Sequence, residues 1–306
     1  MSQLLDASTL KDKSVIITGG ASGIGLATAT HFAKAGAYVT IADVQDAAGE
    51  SIAADLVSQG GNVSFVHCDT SDWEQSVAAF KHAAAFAPSK TLDVALLSAG
   101  IEGDEFSVTE QALAAPEPSL SDNTIPNEPP MRAVQVNLCG VYKNAWLALY
   151  YMRLPSQVET TNPPSKSLIF ISSFAGYADM PSNTDYNTSK FGVRGIFRGL
   201  RHTTTSMNVR TNLIAPLWIN TPILQPKLAQ LAALGVKPGA GLTFASIDHV
   251  VNAVTKSATD ETVSKRVFFV VPEGFIDAGD DEAGGWAADC MREQWKVRRS
   301  KGDIMP

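Results

Sequence analysis

A run of β-branched and apolar residues, Ser14-Val15-Ile16-Ile17-Thr18, is followed by the turn Gly19-Gly20-Ala21-Ser22-Gly23-Ile24-Gly25 and then by an amphipathic stretch beginning at Leu26. A glycine-rich turn between a buried strand and a helix leaves few folds open. It brings backbone N–H groups against a ligand at a helix N-terminus, an approach that a Cβ would block. In α/β proteins this is where the pyrophosphate of a dinucleotide is held. The spacing here is G-x-x-x-G-x-G, a departure from the G-x-G-x-x-G fingerprint, and an ordinary strand-to-helix turn competes with it. The rest of the chain has to decide.

Short apolar runs alternate with longer helical periods along the sequence, the pattern of βαβ units around a parallel sheet. Strands are expected at 14–18, 38–42, 63–68, 92–97, 168–172, 209–215 and 266–271. Helices are expected at 26–35, 46–59, 71–87, 131–154, 184–207 and 247–258. The expected fold is a single α/β domain over 1–306, a doubly wound parallel sheet of about seven strands with helices on both faces. Its core spans about 10–272. Residues 102–130 hold five prolines and no sustained period, so they read as an inserted loop after the fourth strand, placed to act as a lid. Residues 222–245 form an irregular, partly helical segment on the substrate side, and 273–306 form a C-terminal extension.

The 306 residues carry a formal charge of −7, with no dense cluster of Lys and Arg, which argues against a nucleic-acid partner. No uncharged apolar run reaches the roughly 18 residues needed to span a bilayer, and the N-terminus lacks a signal-peptide pattern. The three cysteines, Cys68, Cys139 and Cys290, have no metal-like spacing and an odd count, so the expectation is a reducing, cytoplasmic setting. The five histidines are scattered, and no metal site is assigned.

Asp43 closes the second strand 18 residues after Gly25, where a carboxylate accepts hydrogen bonds from an adenosine ribose and repels a 2′-phosphate. No cation stands beside it at Ser22 or Val44, so NAD is favoured over NADP. A helix-capping role for Asp43 is the competing reading. Asp69, beside Thr70 at the end of the third strand, is equally suited to an adenine amino group or to capping the next helix.

Thr18 to Gly25, taken with Tyr186-Asn187-Thr188-Ser189-Lys190, resembles the short-chain dehydrogenase/reductase family. The likeness is greatest to 15-hydroxyprostaglandin dehydrogenase-like enzymes and to alcohol dehydrogenases of fungal secondary metabolism. Tyr186 and Lys190 are four apart on a helix and share a face. A free phenol is a poor base at neutral pH, and an adjacent ammonium favours its phenolate. The resemblance implies that Ser173, thirteen residues before Tyr186, positions the substrate oxygen, with Ser172 as local competitor. It implies that Asn137 bends its helix and holds a water leading to the lysine. It also implies cofactor contacts from Gly19, Ser22, Gly23, Ile24, Gly25, Asp43, Asp69, Thr70, Ser98, Ala99, Gly100, Tyr186, Lys190, Ile219 and Thr221.

Two departures from the family pattern stand out. Ser98 replaces an asparagine that steadies the central strand, and Pro216-Leu217 replaces Pro-Gly beside the nicotinamide site. Leu217, Trp218, Tyr177 and Leu224 are placed near the pocket mouth, giving it the apolar character of a hydrophobic alcohol or ketone site. The resemblance implies a homodimer or homotetramer, with the helix carrying Gly195 to Gly199 at its interface. The expected activity is the NAD(H)-linked interconversion of a secondary alcohol and a ketone on a hydrophobic small molecule. An NADPH-dependent ketoreductase and a non-catalytic NAD-binding scaffold are the alternatives.

Overall fold

The computed structural model describes residues 3–103, 107–120, 125–158, 164–180, 183–233 and 243–278, with positions 293 and 297. The first half runs β1 (Ser14–Thr18), α1 (Gly23–Lys34), β2 (Tyr38–Asp43), α2 (Asp46–Ser58), β3 (Asn62–His67), α3 (Trp73–Phe86) and β4 (Val94–Leu97). After α4 (Val108–Ala114), a π-helical turn at Val134–Gly140 leads directly into α5 (Val141–Met152). Then come β5 (Lys166–Ile171), α6 (Thr184–Leu200), β6 (Val209–Pro216), α7 (Gln225–Ala233), α8 (Ile247–Thr259), β7 (Val267–Val271) and β8 (Gly274–Asp277).

Among the described residues the strands form one sheet in the order β3-β2-β1-β4-β5-β6-β7-β8. Every pairing up to β7 is parallel, and β8 returns antiparallel beside β7. The chain winds outward from β1 to β3 and then crosses to β4. The topological switch therefore lies between β1 and β4, where a crevice opens at the strands' C-terminal ends.

The alternation of side chains along each strand divides the core between the two faces. Val15 and Ile17 of β1 pack with Phe32 of α1 and with Val250 and Val254 of α8. Ile16, between them, faces the other way and joins Phe80 of α3, Leu147 of α5 and Phe197 of α6. Burial on both sides is why these strands read as continuous apolar runs.

Three expectations are corrected. The catalytic-side helix stops at Leu200 and not near Met207; the chain turns through a short 3-10 segment and enters the left-handed region at Asn208, φ 54°. The sheet gains β8, a strand in the glycine-rich stretch after Pro272 that has no alternation to reveal it. The inserted segment is not wholly irregular. Ser107 opens α4 with a capping box, its Oγ accepting from the Glu110 N–H at 3.2 Å while Glu110 accepts from the Ser107 N–H at 2.7 Å. Positions 279–306 of the C-terminal extension lie, but for 293 and 297, outside the described residues, as do 234–242 of the substrate-side segment and 104–106 and 121–124 of the insertion.

Candidate active site

At the end of β1 the backbone turns at Gly19, φ 68°, where an added Cβ would stand 2.7 Å from the Ala99 Cα at the end of β4. Gly25 is as tightly placed, since its Cβ would collide with the Gly19 carbonyl oxygen. These contacts fold the turn down onto the switch point and leave α1 starting at Gly23 with no side-chain cap from Ser22. Its first N–H groups are thereby open to an anion. Thr221, buried beyond β6, lies against this turn, 3.3 Å from where a Gly23 Cβ would be.

A cavity of about 410 Å³ runs from this turn across the crevice. Every cofactor-side residue inferred from the sequence lines it, from Asp43, Asp69 and Thr70 at one end, past Ser98, Ala99 and Gly100, to Ile219 and Thr221. Ser173, Tyr186 and Lys190 line its other end, whereas Asn137 is fully buried behind the wall. A glycine cradle, an uncapped helix start and an acidic group at the end of β2 fit a nicotinamide dinucleotide.

The Asp43 carboxylate is already engaged. One oxygen accepts from the Ala21 N–H at 3.0 Å and the other from the Gln45 N–H at 3.1 Å, so the residue braces the glycine turn while holding a negative charge at the cavity edge. It caps no helix. Asp69 does not cap α3 either: Asp72 does so, accepting from the Gln75 N–H at 2.9 Å, while Asp69 accepts from both the N–H and the Oγ of Ser71.

Ser98 keeps the strand-joining role that its missing amide suggested was lost. Its Oγ donates to the Thr18 carbonyl at 2.5 Å, and the Thr18 Oγ1 accepts from the N–H groups of Ser98 and Ala99 at 3.2 Å each. Leu217, Trp218 and Leu224 line the cavity as expected, and the Trp218 Nε1 is buried with no hydrogen-bond partner among the described residues. Tyr177 does not line it. It lies in the core, edge-on to Phe269 with centroids 4.8 Å apart and beneath the Arg194 guanidinium at 4.0 Å.

Ser172 and Ser173 both line the cavity and differ in their contacts. Ser172 is buried and donates to the Lys190 carbonyl at 3.0 Å, anchoring α6 to β5. Ser173, in the cavity wall, accepts from the Ala175 N–H at 3.2 Å and lies near enough to the Tyr186 phenol to favour its ionised form. Lys190 Nζ sits 5.3 Å from the centroid of the Tyr186 ring and 3.4 Å from the Ile171 carbonyl.

One electrostatic expectation fails in the protein alone. Burial first, and the Glu102 carboxylate second, push the Tyr186 phenol above its ordinary value, with the Ser173 side chain opposing them. Lys190 is itself lowered from 10.5 to about 8 by burial, against the pull of Glu102. Desolvation thus outweighs the ammonium's effect on the phenol.

Asn137 lies in the π-helical turn that leads into α5. Its side chain is fully occupied: Oδ1 accepts from the Ile101 N–H at 2.8 Å, and Nδ2 donates to the Ile101 carbonyl at 2.9 Å and lies 3.3 Å from Ser189 Oγ. Residues of the cavity wall missed by sequence reading include Ile101, Glu102, Arg132 and Met180. The available signal for Glu102 was its place just past the C-terminal end of a central parallel strand, which in this architecture faces the crevice.

Residues 13–232 match the family profile described as short chain dehydrogenase. The chain belongs to that family. The 5'-hydroxyaverantin dehydrogenase of Dothistroma septosporum is 42% identical over 299 residues, 97% of each chain. An NADP-dependent dehydrogenase of Cochliobolus lunatus is 34% identical over 223 residues, covering 71% of this chain and 74% of its own. The crystal structure of 3-hydroxyacyl-CoA dehydrogenase type-2 from Mycobacterium avium superposes with a TM-score of 0.67 at 24% identity, covering 86% of this chain and 96% of the other, a likeness of fold. As a short-chain dehydrogenase, the protein is an oxidoreductase acting on CH–OH groups.

Proposed function

We propose that this short-chain dehydrogenase interconverts a secondary alcohol and a ketone on a hydrophobic small molecule of secondary metabolism, with NAD(H) as cofactor. The observation that carries the reading is the convergence of Ser173, Tyr186 and Lys190 on one end of a cavity whose other end is the glycine cradle. Ser173 holds the substrate oxygen beside the phenol, and Tyr186 exchanges the hydroxyl proton with it. Lys190, buried against the tyrosine ring, is the local cation that a phenolate would need. The nicotinamide, when bound, supplies the hydride-transferring carbon and, when oxidised, a further positive charge. Ile101, Met180, Leu217 and Trp218 exclude water around the reacting carbon.

Asp43 supports NAD over NADP, because its charge at the end of β2 disfavours a 2′-phosphate. The likeness to the 42%-identical 5'-hydroxyaverantin dehydrogenase makes 5'-hydroxyaverantin the first substrate to try. The test is alcohol oxidation with NAD and, separately, with NADP, followed by the absorbance of the reduced nicotinamide. Turnover with NAD at least tenfold more efficient than with NADP is expected; the reverse order would favour the NADP-dependent reading, and no turnover with either would refute the enzymatic one.

We further propose a homo-oligomer that pairs the outer faces of α5 and α6. Tyr142, Trp146 and Tyr150 repeat every four residues on α5 and are exposed, and Phe191 is exposed on α6 in line with Gly195 and Gly199, where an added Cβ would meet open space.

A further inference from the structure

The segment from Ile101 to Gly103 is strapped at both ends. Asn137 holds the Ile101 backbone through both its N–H and its carbonyl. Beyond it, the Glu102 Oε1 accepts from Asn183 Nδ2 at 2.5 Å, and Asn183 is the buried residue just before α6. Gly103 lies so close to that helix start that a Cβ there would collide with Asn183 and Asp185 and stand 2.9 Å from the Tyr186 Cβ. The strap thus fixes a carboxylate in the wall of the cavity that Tyr186 and Lys190 share.

We propose that Glu102 is a positioning residue for proton transfer: held by this strap in the wall of the shared cavity, its carboxylate opposes loss of a proton from Tyr186 and Lys190 until positive charge enters the cavity. The inference rests on Tyr186 being the proton-transfer group. Other charged groups stand on the neighbouring elements and along the cavity. Asp185 accepts from the Tyr186 N–H at 2.8 Å, Arg194 follows Lys190 by one turn over the Tyr177 ring, and Arg132 and Asp43 line the cavity. The π-helical turn adds the thiol of Cys139. Of these groups, Glu102 is the one whose charge acts on both Tyr186 and Lys190, raising each. Its effect on the phenol opposes deprotonation in the resting protein. Arrival of a cationic ring would offset the carboxylate and release the phenol to act as a base.

Glu102→Gln removes the charge and keeps an oxygen for Asn183; Glu102→Asp keeps the charge. Two readouts apply. In cofactor-free protein, the tyrosinate absorbance of residue 186 is isolated by subtracting the titration of the same protein carrying Tyr186→Phe. In the active enzyme, kcat/KM for alcohol oxidation is followed against pH. Glu102→Gln is expected to shift both the titration and the acid limb of the profile down by about one pH unit, with about tenfold faster oxidation on the acid side, while Glu102→Asp stays near wild type. Superimposable curves for wild type and Glu102→Gln would overturn the proposal, because a merely structural strap would change stability and not the profile. If wild-type protein oxidises no alcohol, the reading of Tyr186 as the catalytic group fails, and the absorbance titration still decides the role of the charge.

Discussion

Lys190 carries an amine into a site where it is only 6% exposed, and that burial costs stability. The unfolded lysine holds its proton to about 10.5 and the folded one to about 8. Between those values the unfolded state binds more protons, so stability rises with pH across that window. Lys190→Met is therefore expected to raise the melting temperature by about 2 °C below pH 8, an advantage that fades toward pH 10.5, and to lower kcat/KM by about 10²-fold. Thermal melts across pH and steady-state kinetics check the two halves. The two serines separate in the same way. Ser173→Ala is expected to lower kcat by about 10²-fold with little change in stability, and Ser172→Ala to cost about 1 kcal/mol in urea unfolding with a smaller kinetic effect. Spacing alone left this pair undecided, because neighbours at the end of a strand differ only in which way they point. The direction of the tyrosine's shift was also beyond sequence, since it depends on how completely the ring and amine are desolvated and on Glu102, whose position depends on Asn137 and Asn183.

The central strands were legible because they are buried on both faces, and β1, β2 and β6 fall within one residue of their expected limits. What escaped were elements without apolar periodicity. β8 exists through its ladder with β7, and α4 is set by its capping box more than by any buried face. At this scale a buried cation is structural. Arg210 of β6 donates to the carbonyls of Ser257, Ala258 and Val263 and to Ser165 Oγ, gathering the C-terminal end of α8 and the loop beyond it onto the sheet. Arg210→Ala would take this donor from the Ala258 carbonyl, while Ser257 and Val263 keep the Ser167 Oγ and Asn212 Nδ2 donors, and a loss of about 2 kcal/mol is expected in denaturant unfolding. A change within about 0.5 kcal/mol would show that these bonds contribute little.

In the whole molecule, the winding of the chain places three distant segments around one crevice: the β1 turn, the end of β4, and the β5–α6 connection. That convergence was readable from motif order, since each motif follows a strand expected in the parallel sheet. The walls of the substrate end were not, because they come from the insertion and the segment after β6, whose paths follow no regular period. The exposed aromatic stripe of α5 likewise appears only once the helix is placed, with Trp146 stacked on Tyr150 at 5.1 Å and tilted against Trp73 of α3 at 5.6 Å. Light scattering is expected to give the mass of a dimer or tetramer, reduced by Trp146→Lys.

The central claim is that the phenol of Tyr186 exchanges a proton with the alcohol. Its most direct test is Tyr186→Phe, which keeps the ring packed beside Lys190 and removes only the hydroxyl. Comparing kcat/KM for alcohol oxidation with the cofactor's dissociation constant in wild type and variant, the account predicts a fall of about 10²–10⁴-fold in the first and little change in the second. Undiminished turnover by the phenylalanine variant would contradict it.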